Sequence, residues 1–335
     1  MTRTRLACFA TCALLFGAWP AASRAETIYA VTTGGALVRF DSATPGTTTS
    51  VAITGLVPGD VIIAIDLRPA TGVLYGLGAM SRLYTLNPST GAATVVGSAG
   101  SFTLSGLTFG FDFNPVPDLI RVVSDADQNL RLNPNDGTLT ATDVNLAYAS
   151  GDPNFGQNPT EIGVAYSNNV SGAISTTLYG IDSGLDILVT QNPPNNGTLN
   201  TLGSLGVNAG GSVGFDISGV TGTAYASLVV GGVSGFFTIN LATGAATLVG
   251  TIGTGTAVIG DITAGQQGPT PTPTATVTAT PTTTATATSS PTLTFTAFPG
   301  GPAAVVPTLS GWGLAALVLL LGVAGYFVVR GNTAG

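Results

Sequence analysis

Ile65–Tyr75 (IDLRPATGVLY) followed by Arg82–Gly97 (RLYTLNPSTGAATVVG) is a unit that the chain writes again. It returns as Phe215–Ile217 (FDI), Gly222–Tyr225 (GTAY) and Phe237–Gly250 (FTINLATGAATLVG). A third copy runs through Phe111–Pro115 (FDFNP), Ile120–Val123 (IRVV) and Leu130–Thr138 (LRLNPNDGT), and a weaker fourth through Ile162–Tyr166, Leu178–Asp182 and Ile187–Thr190. The apolar runs are short and separated by Gly, Pro, Asn and Asp, which is the pattern of strands joined by tight turns. Leading aspartates stand 46 residues apart from Asp66 to Asp112 and 45 from Asp216 to Asp261, with room for two units between. Four strands in each interval of this length is the arithmetic of a propeller blade.

The first unit starts late. Thr27–Ala30 (TIYA) matches the second strand of the other units, and Ile259–Ile262 (IGDI) near residue 264 matches only their first. The two fragments make one blade, which closes the ring and leaves no terminal sheet edge open to pairing. The count is five blades, or six if the stretch from Thr140 to Pro159 hides another. The fold expected is all-β: a β-propeller, then a Thr/Pro stalk, then a C-terminal transmembrane helix.

Around that core the chain divides by composition. Arg3 and Arg5 precede an apolar run from Leu6 to Trp19, and Ser23-Arg24-Ala25 offers small residues before Glu26, so residues 1–25 read as a secretory signal peptide. Residues 26–264 are the repeat domain, about 240 residues and enough for a core without disulfides or metals. Residues 265–305, with Pro269-Thr270-Pro271-Thr272-Pro273-Thr274, cannot bury a core and form a polyproline-like linker with a reach of ~100 Å. Residues 306–335 end the chain: Val306-Pro307-Thr308-Leu309-Ser310-Gly311-Trp312-Gly313 leads into an apolar run to Val329, then Arg330. A helix from about 312 to 329 is just long enough to span a bilayer, with Trp312 and Arg330 at its two interfaces and the Arg inside. The order of parts places the propeller outside the cytoplasmic membrane.

Composition also limits function. Charged residues are 7% of the chain, and after residue 25 only Arg39, Arg68, Arg82, Arg121, Arg131 and Arg330 face sixteen carboxylates. With no Lys or His, nucleic-acid binding is excluded as an expectation, because phosphate contacts need clustered basic groups. Cys8 and Cys12 both lie in the leader, ahead of Ala13-Leu14-Leu15-Phe16, the wrong order for lipid attachment. Without imidazole, ammonium or thiolate, most acid–base and nucleophilic catalysis has no residues to work with. No catalytic or cofactor-binding residue is expected. The surviving enzyme class is a carboxylate-dependent glycoside hydrolase, set against a non-enzymatic binding or structural module, which is the reading preferred.

Two carboxylate patterns stand out. Asp66, Asp112, Asp216 and Asp261 can form a ring at the propeller axis that holds a hard cation through oxygen ligands; the plainer account has each accept hydrogen bonds from its own blade's turn. Ala165 occupies this place in the fourth blade. Asp125-Ala126-Asp127-Gln128-Asn129 has the alternating oxygens of a calcium loop, with Asp136 where a last ligand would fall, but Leu130 stands where that loop needs Gly, so a hairpin turn is expected.

The tail resembles the bacterial IPTL-CTERM sorting signal through Pro307, Thr308, Leu309, Ser310, Trp312 and Gly313, with a lone Arg330 in place of the usual run of arginines. That resemblance implies export, a sorting and processing protease as partner, and a membrane anchor that is at least transient. The repeats resemble a domain-of-unknown-function family of bacterial secreted β-propellers, through Ile65–Pro69, Gly110–Pro115 and Gln191–Leu199. This family implies a fold and no activity. Extracellular polysaccharide is the ligand class considered for the propeller.

Overall fold

A computed structural model describes residues 25–265; the leader, linker, sorting motif and apolar run read above lie outside these residues. The described residues form five sheets, each built on four antiparallel strands. Blade I joins β21 (Ile259–Ala264) to β1 (Thr27–Thr32), β2 (Ala36–Asp41) and β3 (Thr44–Ala52). Blade II is β4 (Ile62–Leu67), β5 (Leu74–Gly78), β6 (Arg82–Leu86) and β7 (Ala93–Val96). Blade III is β8 (Phe109–Asn114), β9 (Leu119–Ser124), β10 (Asn129–Leu132) and β11 (Leu139–Thr142). Blade IV is β13 (Glu161–Tyr166), β14 (Leu178–Asp182), β15 (Ile187–Gln191) and β16 (Thr198–Ser204), and blade V is β17 (Val213–Ile217), β18 (Ala224–Val230), β19 (Val233–Ile239) and β20 (Ala246–Thr251). The first strands touch in the order β21, β4, β8, β13, β17 and back to β21, so the ring is closed. One turn of 3-10 helix, Pro194–Asn196, is the sole helix among the described residues.

Ring closure takes the form expected from the two fragments. Strand β21 from the far end pairs antiparallel with β1, setting Ile28 against Ala264 and Tyr29 against Thr263. The stretch from Thr140 to Pro159 is no sixth blade. Its one short strand, β12 (Ala147–Tyr148), pairs parallel with β16 and widens blade IV. Beyond it Asp152 accepts hydrogen bonds from the Thr201 backbone N–H and hydroxyl, fastening the loop to the same outer strand.

Among the described residues no single central core forms. The buried apolar residues fall into five clusters, each between two adjacent blades; Phe111, Phe113 and Ile120 of blade III pack on Tyr75 and Leu77 of blade II, and Phe236 and Tyr225 of blade V on Phe40 and Ile28 of blade I. Each fully buried large side chain contributes about 1.5–3 kcal/mol of transfer free energy, so the wedges between blades carry the fold. The glycine repeated before the outer strands of blades II, III and V has a cause at this level. Gly91, Gly137 and Gly244 close the last hairpin of their blades with φ of 73°, 67° and 83°, and a Cβ on any of them would strike a backbone carbonyl of the preceding blade's outermost strand or strand end (Ala52, Val96 and Gly203). Positive φ and close approach both require glycine.

Candidate axial carboxylate site

Strand pairing fixes which residues are equivalent. Asp66 lies opposite Tyr75, Asp112 opposite Arg121, Ala165 opposite Tyr179 and Asp216 opposite Tyr225. In blade I the residue opposite the corresponding Tyr29 is Thr263, not Asp261. The aspartate expected to lead this blade therefore stands two residues early, and a threonine fills the ring position. Spacing alone misassigned it because 45 residues passes for 46 in a repeat of uneven loops.

These side chains connect one blade to the next. Asp66 Oδ2 accepts from Phe113 N–H at 2.8 Å, Asp112 Oδ1 from Tyr166 N–H at 3.1 Å, Asp216 Oδ2 from Ala264 N–H at 2.6 Å and Thr263 Oγ1 from Leu67 N–H at 3.3 Å. In each case the donor is the residue that follows the next blade's ring position. Asp261, one step up the strand, does the same to Ile65 N–H at 3.0 Å. Ala165 breaks the series, and Ile217 N–H turns back to Asp216 Oδ1. The plainer expectation, a contact within each blade's own turn, gives way to a clasp between blades. The local share is a bond from the following residue's N–H, as from Leu67 to Asp66 and from Ile262 to Asp261.

Three of these carboxylates meet. One oxygen each from Asp66, Asp112 and Asp216 lies within 4.8 Å of the others, and the residues are only 1%, 1% and 2% exposed. Thr263 Oγ1 lies within hydrogen-bond reach of Asp66 Oδ1 (2.8 Å) and Asp216 Oδ2 (3.1 Å). Asp112 Oδ2 is buried with no hydrogen-bond partner among the described residues. Burial raises all of these carboxyls above the ordinary range: Asp66 well above it, helped by the charge of Asp216, Asp112 well above it, helped by the charges of Asp66 and Asp216, Asp261 likewise well above it, and Asp216 to about 6.

The other sequence candidates go elsewhere. Asp125–Asn129 is the hairpin between β9 and β10: Asp125 Oδ1 accepts from Leu107 N–H, Asp127 takes a φ of 60°, and Asn129 is buried in the strand. Asp136 sits in a different turn, binding Thr138. Two buried groups escaped the sequence reading. Arg121 takes the place of the Tyr found in the other blades, and its guanidinium donates to Asn129 Oδ1, Asp143 Oδ2 and Asn195 Oδ1 at 2.6–2.7 Å, so part of the Gln191–Leu199 motif ties blade IV to blade III. Glu161 stands over Gly180 as Ile62 stands over Gly76 in blade II; both its oxygens lack hydrogen-bond partners, and its carboxyl is pushed up to about 8 by burial, then by Asp182, against a smaller opposing pull from Arg121. Polarity in an apolar slot of one repeat was the signal available for both.

At the opposite end of the first strands, ~13 Å from the carboxylates at four residues' rise, residues from all five blades line a small pocket of about 140 Å³. Ile63, Phe109, Val213 and Ile162 give it an apolar wall, and Thr33, Thr108 and Ser212 supply hydroxyls; no ionisable side chain lines it.

Residues 36–263 match the model of the family described as Domain of unknown function (DUF4394). The chain belongs to this family. Residues 304–330 match the IPTL-CTERM motif, which marks the DUF4394 propeller as part of an exported, surface-sorted protein. No curated protein matches the chain. Among solved structures it is similar to a protein of unknown function from Bacteroides thetaiotaomicron (TM-score 0.45, 16% identity, 72% of this chain and 65% of that one). It is also similar to a protein provisionally named 6-phosphogluconolactonase from Bacteroides uniformis (TM-score 0.36, 14% identity, 68% of this chain and 82% of that one). The chain thus spans about 65% of the length of the first of these.

Proposed function

We propose that the protein is a non-enzymatic binding module, a DUF4394 propeller carried on the Thr/Pro linker and held or sorted through its C-terminal tail, with the axial pocket as its ligand subsite. The carrying observation is that residues of all five blades converge on a pocket of apolar walls and hydroxyls without a charged group. Such a lining suits a neutral, partly apolar ligand such as one ring of an extracellular polysaccharide. Against the glycosidase reading, Asp66, Asp112 and Asp216 are buried and bonded to backbone, where no sugar can lie between them.

The test is a binding screen of the exported chain against neutral and acidic polysaccharides, with Thr108→Val as the pocket variant. Saturable binding without turnover, weakened by the variant, supports the reading. Turnover abolished by an Asp→Asn change, or no binding to any glycan, overturns it. The sorting half is read separately by mass spectrometry of the C-terminal peptide from envelope and medium. Cleavage between 307 and 312 supports processing and an intact tail in the membrane fraction supports anchoring, whereas intact Gly335 on soluble secreted protein contradicts both.

A further inference from the structure

We propose that the propeller axis binds a hard divalent cation of the calcium type between Asp66, Asp112 and Asp216. Three carboxyl side chains from three blades bring one oxygen each within 4.8 Å of the others, and metal–oxygen bonds of about 2.3–2.6 Å span such a gap from a common centre. The partners these carboxylates do have are neutral: backbone N–H groups of Leu67, Phe113, Tyr166, Ile217 and Ala264, and the Thr263 hydroxyl. The described ion pairs all lie elsewhere, Arg68 with Asp118 and Arg121 and Arg131 with Asp143.

The decisive feature is Asp112. Its Oδ1 is committed to the next blade, and its Oδ2 is buried without a hydrogen bond among the described residues, inside a chain whose other ring carboxylates are fully engaged. An ionised oxygen in that position is strongly unfavourable unless a proton or a cation answers it. Ala165 contributes to the same end: where blade IV's own ring side chain would stand, it leaves a methyl group. The ring thus offers three carboxylates and the Thr263 hydroxyl oxygen, with the open side next to Asp112's blade. A divalent ion offsets two of the three charges, and oxygen ligands without nitrogen or sulfur select calcium or magnesium over transition metals. Bound there, it would link blades II, III and V at the point where their first strands converge.

The experiment strips the full chain with EDTA and titrates it with calcium chloride by calorimetry, alongside metal analysis of unstripped protein and thermal unfolding with and without the ion. One site per chain is expected, with a rise in the unfolding midpoint. Asp112→Asn keeps Oδ1 for Tyr166 N–H and removes the charge, and it should weaken calcium binding at least tenfold. Its unfolding midpoint should equal or exceed that of wild type in EDTA and fall below it in calcium. Asp136→Asn, in an exposed turn, should bind as wild type. If Asp112→Asn fails to fold, the wild-type titration and Asp66→Asn decide. No heat, no midpoint shift with calcium or magnesium at millimolar concentration, and no co-purified metal would overturn the site in favour of carboxyls held by protons. Binding that survives both Asp variants would overturn it equally. These readouts do not depend on any polysaccharide.

Discussion

Replacing Glu161 by Gln changes one atom and removes one titration. The Glu161 carboxyl ordinarily ionises near 4.5 and in the fold at about 8, chiefly because it is fully buried and beside Asp182. At 1.36 kcal/mol per pH unit, the fold prefers the protonated acid by ~5 kcal/mol. The sign follows from where each state loses its proton. Below pH 4.5 both states hold it and the contribution is complete. As pH rises the unfolded chain gives it up first, so stability declines through the window and the contribution is gone above about 8. Glu161→Gln is neutral throughout and loses no hydrogen bond, since neither Glu161 oxygen has a partner. The stability of the variant minus that of wild type should therefore grow by ~5 kcal/mol between pH 4.5 and 9, or ~10–20 °C in midpoint for a domain of this size. Asp66, Asp112 and Asp261 shift in the same direction, so both proteins weaken as pH rises and only their difference isolates Glu161. Urea unfolding followed by far-ultraviolet circular dichroism is the assay, because both tryptophans, Trp19 and Trp312, lie outside the propeller. Parallel stability curves for the two proteins across that window would refute the reasoning.

Phe236→Ala removes a fully buried ring that stacks on Tyr225 and meets Phe40 edge-on, each at 5.1 Å between centroids, and should cost about 3–5 kcal/mol in urea unfolding by opening the wedge between blades V and I. Gly244→Ala and Gly222→Ala both place alanine at positive φ, but only the first drives a methyl into the Gly203 carbonyl of blade IV; Gly222→Ala should cost about 1–2 kcal/mol and Gly244→Ala clearly more, and equal losses in urea midpoint would show that blade contact plays no part.

The architecture was legible because a propeller repeats its sequence with its structure. The copies at Asp66, Asp112 and Asp216 announce first strands, and the split unit at Thr27 and Ile259 announces closure, since a half-blade at each end has only the other half to pair with. Short apolar runs and the turn residues between them are local properties, so the sequence determined them alone. The blade count needed tertiary structure at Thr140–Pro159, where a strand of two residues joins an existing sheet instead of founding another. The ring needed it more. A spacing of 45 residues does not reveal that Thr263 rather than Asp261 lies opposite its tyrosine, because register is set by hydrogen bonds between strands from the two far ends of the domain, β1 and β21. Nor does the sequence show that each aspartate serves the next blade, that Asp112 keeps one oxygen unanswered, or that Arg121 and Glu161 occupy slots their repeats fill with Tyr and Ile. Burial and the convergence of charges from separate blades arise only when the ring closes, and they gather three of the four repeated aspartates, Asp66, Asp112 and Asp216, in one place.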